Sequence, residues 1–201
     1  MNGVTADERS DVMTTPAANL DAERFGVYGT DAAGNQTITY TRRLDHAIDK
    51  VWRAITVAEH RAAWFPELTL ATLTGGDAVV NFSGSDCPAP EDNPGDVYFC
   101  KVTRYEPPNV LEYLGPGEHH RFELVEDGAG CLLTFLATLP DAAAFDDAAN
   151  TIQSRYSVAC GWHYKLDQMQ WSLDGVPFED EGYAGPIKTE YYFAYRKLDK
   201  R

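Results

Sequence analysis

Between Asp77 and Pro140 the chain repeats one pattern, a short alternating or apolar run followed by a turn-forming cluster. The runs are "DAVVNFSG", "GDVYFCKVTRYEP", "NVLEYLG", "EHHRFELVEDG" and "GCLLTFLATLP", and the breaks carry Ser-Gly-Ser-Asp, Glu-Pro-Pro-Asn, Gly-Pro-Gly and Asp-Gly-Ala-Gly. Connections this short join only antiparallel neighbours, because a parallel crossover needs a dozen residues or more. The segment therefore predicts a meander. Within it, "SDCPAPEDNPGD" (Ser85 to Asp96) holds three prolines and four acids, so it reads as a loop that could overhang an opening.

Helical periodicity flanks the meander on both sides. Before it, "GNQTITYTRRL" alternates with Ile38, Tyr40 and Arg42 on one face and Thr37, Thr39 and Thr41 on the other, which predicts a strand. In "KVWRAITVAEHRAAWFP", Ile48, Val51, Trp52 and Ile55 form one apolar stripe, with Asp45 as the expected N-cap. A second short helix over "AEHRAAWF" ends at Pro66, since proline disfavours helical geometry in the residue before it. After the meander, a helix from about Asn150 to Asp174 would be on the order of 35 Å long. Val158, Trp162, Leu166, Met169 and Leu173 make its sheet-facing stripe, and Gly175 and Pro177 stop it. Cys160, Tyr164 and Trp171 make a second apolar side that needs its own cover. The expected cover is the tail, where "TEYYFAYRKL" puts Tyr191, Tyr195 and Leu198 at helical spacing. A homodimer formed through the tail or the outer face of the long helix is the alternative.

This order of elements predicts an α+β helix-grip fold: a curved antiparallel sheet of about six strands around a long C-terminal helix, with two short helices after the first strand. The expected organisation is a flexible leader over 1–22, the domain over 23–176, and a tail with a short helix over 177–201.

Composition narrows the function. A net charge of −14 argues against nucleic acid and anionic membrane surfaces, both of which call for a basic patch. No apolar run approaches the length needed to span a bilayer, and the first residues lack a secretory pattern. Cys87, Cys100, Cys131 and Cys160 are far apart, which suits buried thiols in a reducing cytoplasm better than zinc. The expectation is a cytoplasmic protein with no cofactor, no metal site and no membrane insertion.

The residues also resemble a family. "DHAIDKVWRAITVAEHRAAWFP" is similar to the signature of the activator-of-heat-shock-ATPase (AHSA-type) branch of the START-like (SRPBCC) superfamily. "GDVYFCKVTRYEPPNVLEYLG", "EDGAGCLLTFLATLP" and "GWHYKLDQMQWSLDG" resemble that family's meander strands, last hairpin and final helix. The resemblance covers about Thr37 to Gly175. It implies the helix-grip fold, and, from the family name, a chaperone ATPase co-activator.

In such a fold the sheet curls around one helix and leaves a cavity between them. The expected lining is Leu133 and Phe135 from the last strand and His120, Phe122 and Leu124 from its neighbour. Val97, Phe99 and Tyr113 come from the middle strands, with Phe82 from the earlier one and Trp64 at the rim. Val158, Trp162, Leu166 and Met169 come from the helix. Such a cavity suits a hydrophobic small molecule (a lipid, an aromatic or a polyketide) that is bound without being transformed. A cyclase or dehydratase reaction is the alternative, with Tyr113 and His120 as the catalytic candidates because they share a face.

Overall fold

The computed structural model describes residues 16–32, 34–81, 97–115, 118–138, 155–180 and 185–198. In chain order the elements are β1 (Val27–Thr30), β2 (Gln36–Leu44), α1 (Ile48–Thr56), α2 (Ala58–Arg61), β3 (Leu68–Leu70), β4 (Asp77–Asn81), β5 (Val97–Glu106), β6 (Val110–Gly115), β7 (Glu118–Asp127), β8 (Gly130–Thr138), α3 (Arg155–Asp174) and α4 (Pro186–Leu198). All strands form one antiparallel sheet in the order β1-β2-β8-β7-β6-β5-β4-β3. The architecture is the helix-grip fold, with eight strands rather than the expected six. The added strands, β1 and β3, are four and three residues long and lie at the two edges. Neither is long enough for alternation to reveal it. Each owes its geometry to the neighbour it pairs with.

Inward parity is clearest in β2, where Ile38, Tyr40, Arg42 and Leu44 are all buried. The β7–β8 hairpin turns at Gly128, whose φ of 65° is the left-handed region glycine enters freely. Two residues on, Gly130 lies so close to β2 that a Cβ would meet the Leu44 carbonyl oxygen at 2.3 Å. In α1 the stripe Ile48, Val51, Trp52 and Ile55 is buried. Its N-cap, however, is Ala47 without a side-chain bond, and Asp45 is exposed and paired with Arg43 at 3.9 Å. The α2 helix stops at Arg61 and continues as a turn, so Trp64 and Phe65 follow it rather than belong to it.

The α3 helix ends in a Schellman arrangement. Val176 N–H reaches the Trp171 carbonyl at 2.9 Å across Gly175, whose φ is 69°. Leu166, Met169 and Leu173 are buried on the sheet side, and Cys160 and Tyr164 are buried on the other. Cover for that second side comes from the same chain: α4 lies along α3. Lys188 Nζ stands 5.0 Å over the Tyr164 ring, and Phe178 lies 5.6 Å from Trp171. In α4, Tyr191 and Tyr195 are fully buried while Leu198 is 41% exposed. The segment before β1 is tied to the same helix. Asn19 N–H donates to Tyr191 Oη at 2.8 Å and Gly26 N–H to Tyr195 Oη at 2.9 Å. The boundary expected at residue 22 thus falls inside a 3-10 turn, Ala22–Arg24, and residues 1–15 lie outside the described residues.

Candidate functional site

Strand register aligns the inner face of the sheet row by row. Tyr113, His120 and Ala137 are neighbours in one row, and Leu111, Phe122, Phe135 and Tyr40 in the next. Leu124, Leu133 and Arg42 follow in a third. Trp162 of α3 descends onto this face, with its ring 4.5 Å from Phe135, 4.9 Å from His120 and 5.3 Å from Phe65. Phe122 is 4.5 Å from Phe135, and the His120 and Phe135 rings are nearly parallel. Six aromatic rings and one imidazole (Trp64, Phe65, Tyr113, Phe122, Phe135, Trp162 and His120) thereby form one connected cluster under the helix. Such rings prefer tilted or edge contacts, which is the geometry most of them adopt.

Exposure grades along the grip. Leu124, Leu133, Phe135, Leu166 and Met169 have no exposed surface, so sheet and helix meet directly there and these residues are core. Toward the start of α3, Val158 and Trp162 are only half-buried, as is Tyr98 on the inward parity at the start of β5. The half-buried end of the grip is therefore aromatic and lies around the first turns of α3.

Three expectations about the lining are corrected. Phe99 is 71% exposed on the outer face, and Val97 shares its parity; Tyr98, Cys100 and Val102 carry the inward positions of β5. The run "VYFCKV" is apolar at both parities, so alternation cannot choose a face. The pairing of Val102 with Tyr113 does. Trp64 is not at the rim but 1% exposed, donating its indole N–H to the Ala54 carbonyl at 2.9 Å. Phe82 lies outside the described residues.

Of the paired histidines, His120 turns inward and His119 lies on the outer face, 3.5 Å from Glu112. Burial pushes the His120 imidazole down to about 3, with the neighbouring His119 acting in the same direction. The ring is therefore neutral at physiological pH and a poor base for proton abstraction. Its centroid is 5.1 Å from that of Tyr113, so the pair seen in the sequence is brought together.

A polar cluster on the far side of α3 was missed. Asp167, 1% exposed, accepts from Arg24 Nη2 at 2.6 Å and from the Tyr191 hydroxyl, and Arg42 Nη2 lies 3.8 Å away. His163 stacks on Tyr191 at 4.0 Å and shares a hydrogen bond with Tyr195 Oη at 3.1 Å. Burial, reinforced by Arg42 and Arg24, pushes this imidazole down to about 2. The cluster joins β2, α3, α4 and the segment before β1. Two signals point to it: an arginine on the apolar parity of β2, and His163 with Asp167 four apart on a helix with no polar side.

Outside the grip, an open groove of about 420 Å³ runs past the end of α3, lined by Ala63, Ser172, Gly175, Val176, Pro177, Phe178 and Asp180. None of the expected lining residues borders it. Among the described residues no helix is long and apolar enough to cross a membrane.

A curved antiparallel sheet gripping one long helix over an aromatic inner face defines the helix-grip class of domains. Within it, residues 35–160 match the model of the family described as polyketide cyclase / dehydrase and lipid transport, and the chain belongs to that family. The match supports the START-like superfamily and not the narrower heat-shock-ATPase-activator branch. A conserved protein of unknown function from Enterococcus faecalis superposes with a TM-score of 0.61 at 18% identity, covering 87% of this chain and 91% of that one. CalU16 from Micromonospora echinospora superposes at 0.57 and 22% identity, covering 89% and 98%. DynU16, a protein of the dynemicin biosynthetic locus, superposes at 0.52 and 20% identity, covering 70% and 48%. At these identities the likeness is one of fold. No protein of curated function matches the chain.

Proposed function

We propose that the chain binds a hydrophobic small molecule, such as a lipid, an aromatic or a polyketide, at the aromatic end of the grip and releases it unchanged. The observation that carries this reading is the half-buried Trp162 standing over His120, Phe135 and Phe65, a rigid aromatic surface with little polar demand. The neutral state of His120 favours binding over catalysis, since an imidazole titrating near 3 neither donates nor takes a proton readily at neutral pH. Native mass spectrometry of protein purified from its own host tests the reading. A mass excess that dissociates as one small apolar molecule is expected. No adduct, together with no Nile red binding by the purified protein, would end it.

The cyclase or dehydratase reading keeps one observation in its favour, the Tyr113 and His120 rings 5.1 Å apart within a family whose description includes such enzymes. Tyr113→Phe and His120→Ala should then abolish turnover of a polyketide substrate. The co-activator reading fares worse. The segment that resembles that branch places Val51, Trp52, Ile55, Trp64 and Phe65 in the core, so its likeness reports fold. Buried free thiols at Cys131 and Cys160 support a reducing, cytoplasmic setting.

A further inference from the structure

Segments far apart in sequence meet at Asp167 of α3, and the donors and acceptors there do not match. Tyr191 of α4 donates to Oδ2 and Arg24 Nη2 donates to Oδ1 at 2.6 Å, so each carboxylate oxygen keeps a lone pair. Arg42, with a side chain only 1% exposed, donates from Nη1 to the Arg24 and Thr41 carbonyls at 2.6 and 3.1 Å. Its Nε and Nη2 carry further N–H groups, and these find no acceptor among the described residues. The fully buried His163 is in the same position. Its Nδ1 meets Tyr195 Oη at 3.1 Å, while Nε2 has no hydrogen-bond partner among the described residues. Both unmatched nitrogens face one carboxylate. Arg42 Nη2 stands 3.8 Å from Oδ1, and His163 Nε2 stands 3.8 Å from Oδ2.

A separation of 3.8 Å is too long for a hydrogen bond. It is a span that a water bonded to both partners bridges with ordinary geometry. Buried polar atoms are satisfied as a rule, by protein or by ordered water, and a buried water makes about three such bonds. The atoms left over also select water above an ion. On one side are N–H donors and on the other carboxylate lone pairs. Water accepts from the first and donates to the second, whereas Asp167 repels an anion and Arg42 repels a cation. His163 enters as a donor. A neutral imidazole carries one N–H, and Nε2 is the nitrogen that faces a carboxylate, so the proton belongs there and the Tyr195 hydroxyl donates to Nδ1.

We infer that ordered water bridges the Asp167 carboxylate to Arg42 Nη2 and to the Nε2–H of His163. This makes the joint between α3, α4 and the segment before β1 a hydrated one. The inference is independent of the ligand reading above.

A crystal structure of the full chain that resolves ordered solvent, grown with bromide in place of chloride, tests it. Water oxygens within hydrogen-bond distance of Asp167 and of both nitrogens are expected, with no anomalous peak among them. Arg42 and His163 bonded directly to the carboxylate with no water between would overturn the inference, and so would a bromide peak at the site. The solution counterpart is the tautomer of His163 from long-range ¹H–¹⁵N correlation in the native protein. The Nε2–H form is expected, and the Nδ1–H form overturns the donor role on which the bridge depends.

Discussion

Asp167→Asn removes one charge from the centre of the cluster that ties both ends of the described chain to α3. The carboxylate is 1% exposed, bonded to Arg24 at 2.6 Å and to Tyr191, and 3.8 Å from the 1% exposed guanidinium of Arg42. The amide still accepts one hydrogen bond, and Arg24, 18% exposed, can turn to water. Arg42 cannot, so it is left as a buried charge without its counter-ion. Breaking a buried pair in this way costs about 3–5 kcal/mol, a large share of the roughly 5–15 kcal/mol that holds a domain together. At about 2–4 °C per kcal/mol for a chain of this length, the melting temperature should fall by roughly 6–20 °C. Circular dichroism gives the midpoint. Hydrogen exchange should show lost protection in residues 19–26 and in α4 before the meander. Arg42→Met in the same background removes the stranded charge and should recover part of the loss. A midpoint within about 2 °C of wild type, or a loss that Arg42→Met deepens additively, would refute the electrostatic account.

Other outcomes follow from burial. His120 titrates near 3 when folded against 6.5 when free, so below pH 6.5 the unfolded chain binds a proton that the folded one refuses. Stability should therefore fall with pH from 6.5 toward 3, at up to about 1.4 kcal/mol per pH unit per histidine, with His163 contributing alongside. Melting curves between pH 7.5 and 5 should show this slope reduced by about half in His120→Phe; an unchanged slope would contradict it. Phe122→Ala should cost about 3–5 kcal/mol by urea unfolding, and Phe99→Ser, on the exposed outer face, less than about 0.5. Equal costs would mean the β5 parity is wrong. Gly130→Ala should destabilise by more than loss of backbone freedom explains, because its Cβ meets backbone rather than a side chain that can turn.

How much of this was legible in the sequence depended on whether one face alone was buried. In β7 and β8 it was. His120, Phe122 and Leu124 alternate with charged or solvent-facing neighbours, so their inward parity could be read directly, and so could the opposed turn of His119. In β5 both parities are apolar, and only pairing with β6 decides that Phe99 faces out. The α3 helix was harder again. The stretch "HYKLDQMQ" reads as half polar, yet all but its last residue are buried. His163 and Asp167 are covered by residues of segments 16–30 and 186–198, and Lys165 reaches Glu67, all of them distant in sequence or across a linker. Periodicity carries no information about such long-range cover.

The binding claim meets its most direct test in the four indole N–H resonances of the protein. Trp162 stands half-buried in the aromatic cluster, Trp64 touches Phe122 within it, Trp52 packs on Tyr105, and Trp171 lies beside Phe178 and the outer groove. On titration with dodecanoate, Trp162 should shift most and Trp64 less, with Trp52 and Trp171 still. Four unmoved resonances, or a response confined to Trp171, would contradict a ligand held in the grip.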